Sequence, residues 1–198
     1  MRFSRPFVAT ALVSLAAAGA VFALQDPTKM DPKQMEQMTA MMSPNEHHKV
    51  LEYKVGKWTG KMSMYMAPGA PPVESEMTSE QKWIMGGRFL SDNTRGSMMG
   101  QPFEGMGTSG YDNVKQKYVF TWIDNFGTGI LSGEGTWDAA KKTLTSTTSM
   151  PDPATGKYAP ARMVDTVVDA DHWKMEMYAT GPDGKEALSF RIEYKRAK

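Results

Sequence analysis

Six side chains with soft or nitrogen donor atoms lie close together near the start of the chain. They are Met35, Met38, Met41, Met42, His47 and His48. Thioether sulfur selects Cu(I), and imidazole also accepts copper. The methionines are spaced by three and four residues, as on one face of a helix. The segment is therefore a candidate site for copper or another soft metal. The alternative is a lead-in that packs its methionines, because 18 methionines occur along the chain.

A second candidate is a single carboxylate, Asp124. It ends the run YVFTWID, on the same strand face as Tyr118, Phe120 and Trp122. A carboxyl group inside a barrel has an altered pKa and can act as a general acid or base. The chain has three histidines, two of them adjacent, and no nucleophile, histidine and acid in the order expected of a hydrolase. Asp124 is thus the catalytic candidate in a chain whose pattern favours binding over enzymatic activity.

The elements that position these residues are mostly short strands. Runs rich in Thr, Val, Met and aromatic residues follow Gly56, each bounded by turn residues. They predict ten strands, over residues 57–66, 74–85, 87–95, 104–111, 117–124, 128–137, 142–150, 161–169, 172–179 and 186–196. This pattern predicts an all-β, up-and-down antiparallel barrel of the lipocalin or calycin kind, with a sandwich as the alternative.

A short helix near residues 44–54 is predicted ahead of the first strand. Ser43 is the expected N-cap, Pro44 the first helical residue and Glu46 the partner in a capping box. Val50 and Leu51 would lie on the inner stripe of this helix.

Alternation of side chains identifies the inner face of the sheet. In KWTGKMSMYM and HWKMEMYA, tryptophan and methionine alternate with lysine and other polar residues. Methionine adapts to varied apolar partners, and a barrel of about ten strands leaves interior volume. We therefore predict a cavity for an apolar or aromatic small molecule, with a solid methionine-rich core as the alternative. The predicted ligand-binding residues are Trp58, Met62, Met64, Trp83, Trp122, Trp173 and Met175.

Several motifs, in order along residues 45–197, resemble the bacterial domain-of-unknown-function family numbered 1579. They are His48-x-x-Leu51, Gly56-x-Trp58, Gly-Arg-Phe-Leu at 87–90, Gly-x-Pro-Phe-x-Gly at 100–105, Gly-Tyr-Asp at 110–112 and Trp122-x-Asp124. The resemblance implies a lipocalin-like barrel, in agreement with the strand pattern. It implies no activity and carries no residue roles.

The start of the first strand, Gly56-x-Trp58-x-Gly60, is also similar to small haem-binding barrels of the nitrobindin type. In those barrels a histidine on a late strand binds the iron. His172 is the one late histidine of this chain, and alternation places it on the polar face with Lys174 and Glu176. The sequence therefore disfavours haem, with the inward-facing Met177 or Tyr194 as the alternative iron ligand, and no other cofactor is strongly implied.

The first 23 residues have the pattern of a secretory signal peptide. Arg2 and Arg5 precede an apolar run, and small residues precede a cleavage site expected after Ala23. The alternative is a retained anchor, since the apolar run of 18 residues is at the lower limit for a membrane span. The predicted organisation is a signal peptide at 1–23, a Met-rich lead-in at 24–43 and a barrel at 44–198. We expect a periplasmic or secreted protein with no membrane span after cleavage.

The charge balance limits the class of partner. Cleavage would remove two arginines and leave 21 basic and 22 acidic side chains. Because no basic excess remains, nucleic acid and anionic lipid are poor partners. The chain has no cysteine, which excludes disulfides, thiolate catalysis and cysteine-bound zinc. A small apolar or aromatic molecule is the partner that the sequence favours.

Overall fold

The computed structural model describes residues 31–67, 69–181 and 184–198. The helices in these ranges are α1 (Pro32–Met42), α2 (Glu46–Lys49) and a 3-10 helix (Val50–Lys54). The strands are β1 (Gly56–Met64), β2 (Val73–Ile84), β3 (Phe89–Met98), β4 (Gln101–Asp112), β5 (Lys117–Asp124), β6 (Leu131–Asp138), β7 (Thr143–Asp152), β8 (Lys157–Val167), β9 (His172–Thr180) and β10 (Glu186–Arg196). The predicted signal peptide, residues 1–23, lies outside the described residues.

The ten strands of the described chain close into one barrel. Each strand pairs antiparallel with the strands before and after it in sequence. The barrel closes where β1 pairs with β10, with Trp58 opposite Arg196 and Met64 opposite Phe190. The up-and-down antiparallel barrel predicted from the sequence is therefore confirmed.

Side chains alternate between the interior and the surface as predicted. On β1, Trp58 and Met62 are buried, whereas Lys57 and Lys61 on the opposite face are exposed. The same period of two runs through β2, where Met77, Ser79 and Gln81 are all buried. Because successive strand residues point to opposite faces, this pattern gives the barrel one interior and one solvated face.

Two strands begin three or four residues earlier than predicted, and both include a proline. The predicted starts were 104 and 161, whereas β4 begins at Gln101 and β8 at Lys157. Pro102 pairs with β3 alone, because β4 meets β5 only from Gly105 onward. Pro160 likewise pairs with β7 alone, since β8 meets β9 only from Ala161. A proline without an N–H group is tolerated where one side of the strand has no partner.

The 3-10 helix closes one end of the barrel, and we call residues Val50–Lys54 the plug. Leu51 is fully buried there. It packs in one cluster with Leu90, Tyr118 and Leu144, which come from three strands. Each of these residues lies near the end of its strand that faces the plug. The loops at the opposite end of the barrel connect β1–β2, β3–β4, β5–β6, β7–β8 and β9–β10.

The predicted cap of the short helix was wrong. The N-cap is Asn45 rather than Ser43, and its side-chain oxygen accepts a hydrogen bond from the backbone N–H of His47 at 3.0 Å. The side chain of His48, not Glu46, completes the capping box by accepting from the backbone N–H of Asn45 at 3.1 Å. Asparagine is among the best N-cap residues, so the helix begins two residues later than predicted and continues as a 3-10 turn.

Within the described chain, residues 31–37 belong to one compact unit and the residues from 38 onward to another. All ten strands and the plug belong to the second unit. The predicted boundary between lead-in and barrel, at residue 44, remains a prediction. In the described part of the chain, no helix has the length and apolar character needed to cross a membrane.

Shortening the buried Leu51 side chain of the plug should destabilise the whole barrel. We expect Leu51→Ala to lower the free energy of unfolding by about 3–5 kcal/mol, because it removes fully buried atoms and leaves a cavity. Val114→Ala, in an exposed β4–β5 turn, is the control and should change it by less than about 0.5 kcal/mol. Urea denaturation measures both. Equal urea midpoints for the two variants would contradict the conclusion that the plug stabilises the barrel.

Candidate functional site

The barrel contains a cavity of about 340 Å³ above the plug. Its walls are thioether and aromatic in character. The methionines that line it are Met62, Met64, Met77, Met98, Met150, Met163, Met175 and Met177. The aromatic residues are Phe103, Phe120, Trp122, Trp173, Phe190 and Tyr194. Together the two sets come from nine of the ten strands, so the cavity is a property of the closed sheet.

Five of the predicted ligand-binding residues line this cavity, namely Met62, Met64, Trp122, Trp173 and Met175. Trp58 and Trp83 do not, although both have the predicted inward parity. The indole N–H of Trp58 donates to the backbone oxygen of Lys54 at 2.7 Å. That of Trp83 donates to the Glu52 carboxylate, also at 2.7 Å. These two tryptophans lie at the level of the plug and hold it in place.

The indole of Trp122 lies against two glycines on the inner face of β4. A Cβ atom added at Gly105 would overlap the indole, and one added at Gly107 would lie 2.9 Å from it. The glycines therefore form a recess for this ring. Without them the indole would be displaced into the cavity.

Asp124, the catalytic candidate, lies at the end of the barrel opposite the plug, and its hydrogen bonds there are structural. One carboxylate oxygen accepts the indole N–H of Trp122 at 2.9 Å. The other accepts the backbone N–H groups of Phe126 and Gly127, at 2.9 and 3.1 Å. The side chain borders the cavity, but both of its oxygens are engaged in holding a ring and a turn. Its catalytic use remains a prediction.

A buried ion pair forms the part of the cavity floor next to the plug. The ammonium of Lys54 lies 2.7 Å from Oδ2 of Asp165, whose side chain is almost wholly buried. The hydroxyl of Tyr53 donates to the same oxygen at 2.9 Å. Burial, followed by the charge of Asp165, raises the pKa of Tyr53 well above its ordinary value. The phenol therefore stays protonated and serves as a donor.

A second carboxylate, Asp92, lies in the same floor. Its Oδ1 accepts hydrogen bonds from Ser79 at 2.8 Å and Thr94 at 2.9 Å. Gln81 in turn donates to the hydroxyl oxygen of Ser79 at 3.2 Å. Burial raises the pKa of Asp92, while the two hydroxyl groups oppose that shift. Hydroxyl donors support this carboxylate, in contrast to the ammonium that supports Asp165.

Two buried polar atoms at the floor have no partner in the described chain. They are Oδ1 of Asp165, an acceptor, and the indole N–H of Trp173, a donor. A buried polar atom without a hydrogen bond costs roughly 1–3 kcal/mol. Both residues border the cavity. The two unpartnered atoms lower the stability of the barrel, so the floor is not built for stability alone.

Stacked aromatic rings connect the floor to the wall. Trp173 and Tyr194 stack with ring centroids 4.0 Å apart and planes at 12°. The ammonium of Lys54 lies 5.2 Å from the centroid of the Trp173 ring, which is within cation–π range. Burial raises the pKa of Tyr194 well above its ordinary value. The floor thus presents its charges against electron-rich ring faces.

The floor residues Lys54, Asp92 and Asp165 were not among those predicted from the sequence. Asp92 has the inward parity of Leu90 and Thr94, both buried on the same strand. A charged residue at a strand position whose side chain points into the barrel was the available sequence signal for a floor residue. Lys54 had no such signal, because it lies on a 3-10 helix whose direction into the barrel depends on tertiary packing.

The residues of the proposed soft-metal segment lie in different settings. Met35, Met38, Met41 and Met42 are on α1, and all four are exposed. His47 stacks on Tyr111, with ring centroids 4.5 Å apart. His48 is buried, and burial followed by the charges of His47 and Arg88 lowers its pKa. The described residues contain no group of three histidine or acidic side chains that could share a metal ion. The thioether hypothesis remains a prediction.

His172, the histidine weighed for haem, lies at the start of β9 at the plug end of the barrel. Its ring is about half exposed, and its Nδ1 lies 2.9 Å from the carboxylate of Asp169. It is not among the residues that line the cavity.

Removal of the buried ammonium should be costly. We expect Lys54→Met to lower the free energy of unfolding by about 3–5 kcal/mol, because it leaves the Asp165 charge buried without its cation. The exposed Lys57→Met is the matched control and should stay within about 0.5 kcal/mol of wild type. Urea denaturation of K54M, D165N and the double variant should give a loss for the double variant smaller than the sum of the single losses. Additive losses would contradict the pairing.

Comparison with known proteins identifies the family. The crystal structure of Rv2717c from M. tuberculosis is 15% identical, with a TM-score of 0.55, covering 79% of this chain and 100% of that one. A redesigned β-barrel, b11L5F_LGL, is 13% identical, with a TM-score of 0.38, covering 76% of this chain and 96% of that one. At these identities the first of them supports the barrel fold alone. No curated protein sequence matches. The model of the family "Protein of unknown function (DUF1579)" matches residues 43–196, and the chain therefore belongs to the DUF1579 family.

Proposed function

We propose that this protein binds an apolar or aromatic small molecule inside the barrel. The observation that carries the proposal is the cavity of about 340 Å³ with methionine and aromatic walls. Ligand pockets in proteins are typically about 300–1,000 Å³, mostly apolar, with a few polar groups that orient the ligand. The cavity has this size and this composition.

The choice of wall residues supports binding over packing. Methionine side chains are flexible and polarisable, and they make favourable contacts with aromatic rings. Half-buried methionines such as Met64, Met98 and Met175 can therefore adjust to the shape of an occupant. A core built for stability alone favours Leu, Ile and Val, which have better-defined rotamers.

The recess for Trp122 supports the same proposal. Gly105 and Gly107 hold the indole against the wall, so that the ring borders the cavity without filling it. Glycine in a strand interior is costly, and it marks places where another group approaches the backbone closely. Here the stability lost at the two glycines preserves interior volume next to an aromatic surface.

Filling part of the cavity should weaken binding. We expect a neutral aromatic probe such as 2-ethylnaphthalene to change the tryptophan fluorescence of the wild type saturably. Met175→Trp adds an indole on the cavity wall and should weaken binding by about tenfold or more, a loss of about 1.4 kcal/mol. Met106→Trp, on the outer face of β4 and 54% exposed, is the matched control and should bind as the wild type does.

Two results would overturn this proposal. One is the absence of saturable binding by any member of a panel of apolar and aromatic probes. The other is equal affinity of M175W and M106W, with near-ultraviolet circular dichroism showing that both are folded. Binding would then lie outside the barrel.

We also propose that the protein is exported to the periplasm or beyond. The support is the pattern of residues 1–23, with two arginines, an apolar run and small residues before Leu24. Export would bring the cavity into contact with small molecules outside the cytoplasm.

Export can be measured by mass and location. Expressed in a bacterium, the full chain should yield a periplasmic product whose N-terminal residue is Leu24. Replacing Val13 with arginine interrupts the apolar run and should leave the product uncleaved inside the cell. A wild-type product that retains residues 1–23 in the membrane fraction would indicate an anchor instead.

A further inference from the structure

The chemistry of the cavity floor constrains the head group of a ligand. Three charged side chains border the cavity at this level, Lys54, Asp92 and Asp165. The ammonium of Lys54 forms an ion pair with Asp165 at 2.7 Å. Asp92 has no lysine, arginine or histidine within ion-pair distance in the described chain, although the more distant charge of Lys54 also opposes the rise that burial causes in its pKa. The floor thus contains one carboxylate with a cationic partner and one without.

Acceptor atoms are also in excess at this floor. Both hydroxyl donors of Asp92 bind Oδ1, and no group of the described chain donates to Oδ2. Oδ1 of Asp165, a residue with 0% of its surface exposed, has no donor either. The indole N–H of Trp173 is the one unpartnered buried donor in the described residues. Of these atoms, Oδ2 of Asp92 is the acceptor that a ligand in the cavity can reach, and it favours a ligand head that donates hydrogen bonds.

The surroundings favour a positive charge over a neutral donor. A buried charge is stable only when it is paired, and Asp92 lies in an apolar, aromatic chamber. Aromatic faces attract ammonium groups, and Trp173 already accepts one in this way, from Lys54 at 5.2 Å. A second cation at the floor would find the same kind of ring surface beside an unpaired carboxylate.

We propose that the ligand of this barrel is a protonated amine with an apolar or aromatic body, and that its ammonium group pairs with Asp92. This inference rests on the proposed function and specifies its ligand class. The amine donates to Oδ2 of Asp92, while the body contacts the methionine and aromatic walls. Lys54 stays paired with Asp165 and holds the floor together.

A set of probes with one body and three heads tests the charge. Naphthalen-2-ylmethylamine is a cation, naphthalen-2-ylmethanol is neutral and 2-naphthoate is an anion. We expect the amine to bind the wild type at least about tenfold more tightly than the alcohol at pH 7, because the ammonium pairs its own charge with the buried carboxylate, whereas the hydroxyl group only donates a hydrogen bond. The naphthoate should bind most weakly. Isothermal titration calorimetry measures all three.

A variant without the charge locates the contact. Asp92→Asn keeps an oxygen for the hydroxyl groups of Ser79 and Thr94, so the barrel should fold. It should reduce the affinity ratio of amine to alcohol to about one. Glu80→Gln, on the exposed face of the neighbouring strand β2, is the matched control and should keep the wild-type ratio.

A pH series on the wild type gives a second measurement that needs no variant. Protonation of Asp92 removes its charge, so the preference for the amine over the alcohol should fall as pH is lowered. Lys54, Asp165 and Tyr194 face Asp92 from the plug, β8 and β10. Since burial raises the pKa of Asp92, the loss should begin at a higher pH than for an exposed aspartate.

Failure of this inference differs from failure of the proposed function. If the amine and the alcohol bind the wild type equally, or the ratio persists in D92N, the amine assignment is wrong and cavity binding stands. If neither probe binds and the wider panel is also negative, both proposals fall. If D92N does not fold, the pH series decides: a ratio that stays constant as pH falls overturns the assignment.

Discussion

The ion pair between Lys54 and Asp165 connects the two parts of the molecule that must fit together. One partner comes from the plug and the other from the wall of the barrel, 2.7 Å apart. Tyr53 donates to the same carboxylate, and Trp58 donates to the backbone of Lys54. Because a buried charge is costly without its partner, this pair allows only one seating of the plug. The depth and polarity of the floor depend on that seating.

Closure of ten strands determines the rest of the interior. A ten-stranded barrel is wider than its inward-facing side chains can fill. The plug occupies one end only. Methionines and aromatic rings surround the remaining space, and two glycines keep Trp122 against the wall. Above the plug the interior is therefore apolar at the sides and charged at the base. That gradient gives the cavity a direction, with one end suited to a hydrocarbon body and the other to a polar head.

Much of the fold could be predicted from the sequence, because strand alternation is a local signal. All ten strands were located, and the inward parity of Trp58, Met62 and Trp173 was correct. Parity does not encode height along the barrel axis, so Trp58 and Trp83 were grouped with the cavity although they pack around the plug. Lys54 and Asp165 could not be paired from sequence, since they are far apart in the chain and one lies on a 3-10 helix. Pro102 and Pro160 obscured strand ends, because a proline is tolerated only where the neighbouring strand is absent.

The seam between β1 and β10 makes the interior a late product of folding. Trp58 and Arg196 face each other across it, although they are separated by nearly the whole barrel sequence. Contacts between residues so distant in sequence form slowly, because the intervening chain must be ordered first. Until β10 is in place the sheet is open at two edges, and no enclosed chamber exists. Occupancy of the cavity therefore reports completion of the fold, and an occupant that binds only the closed barrel stabilises that seam by mass action.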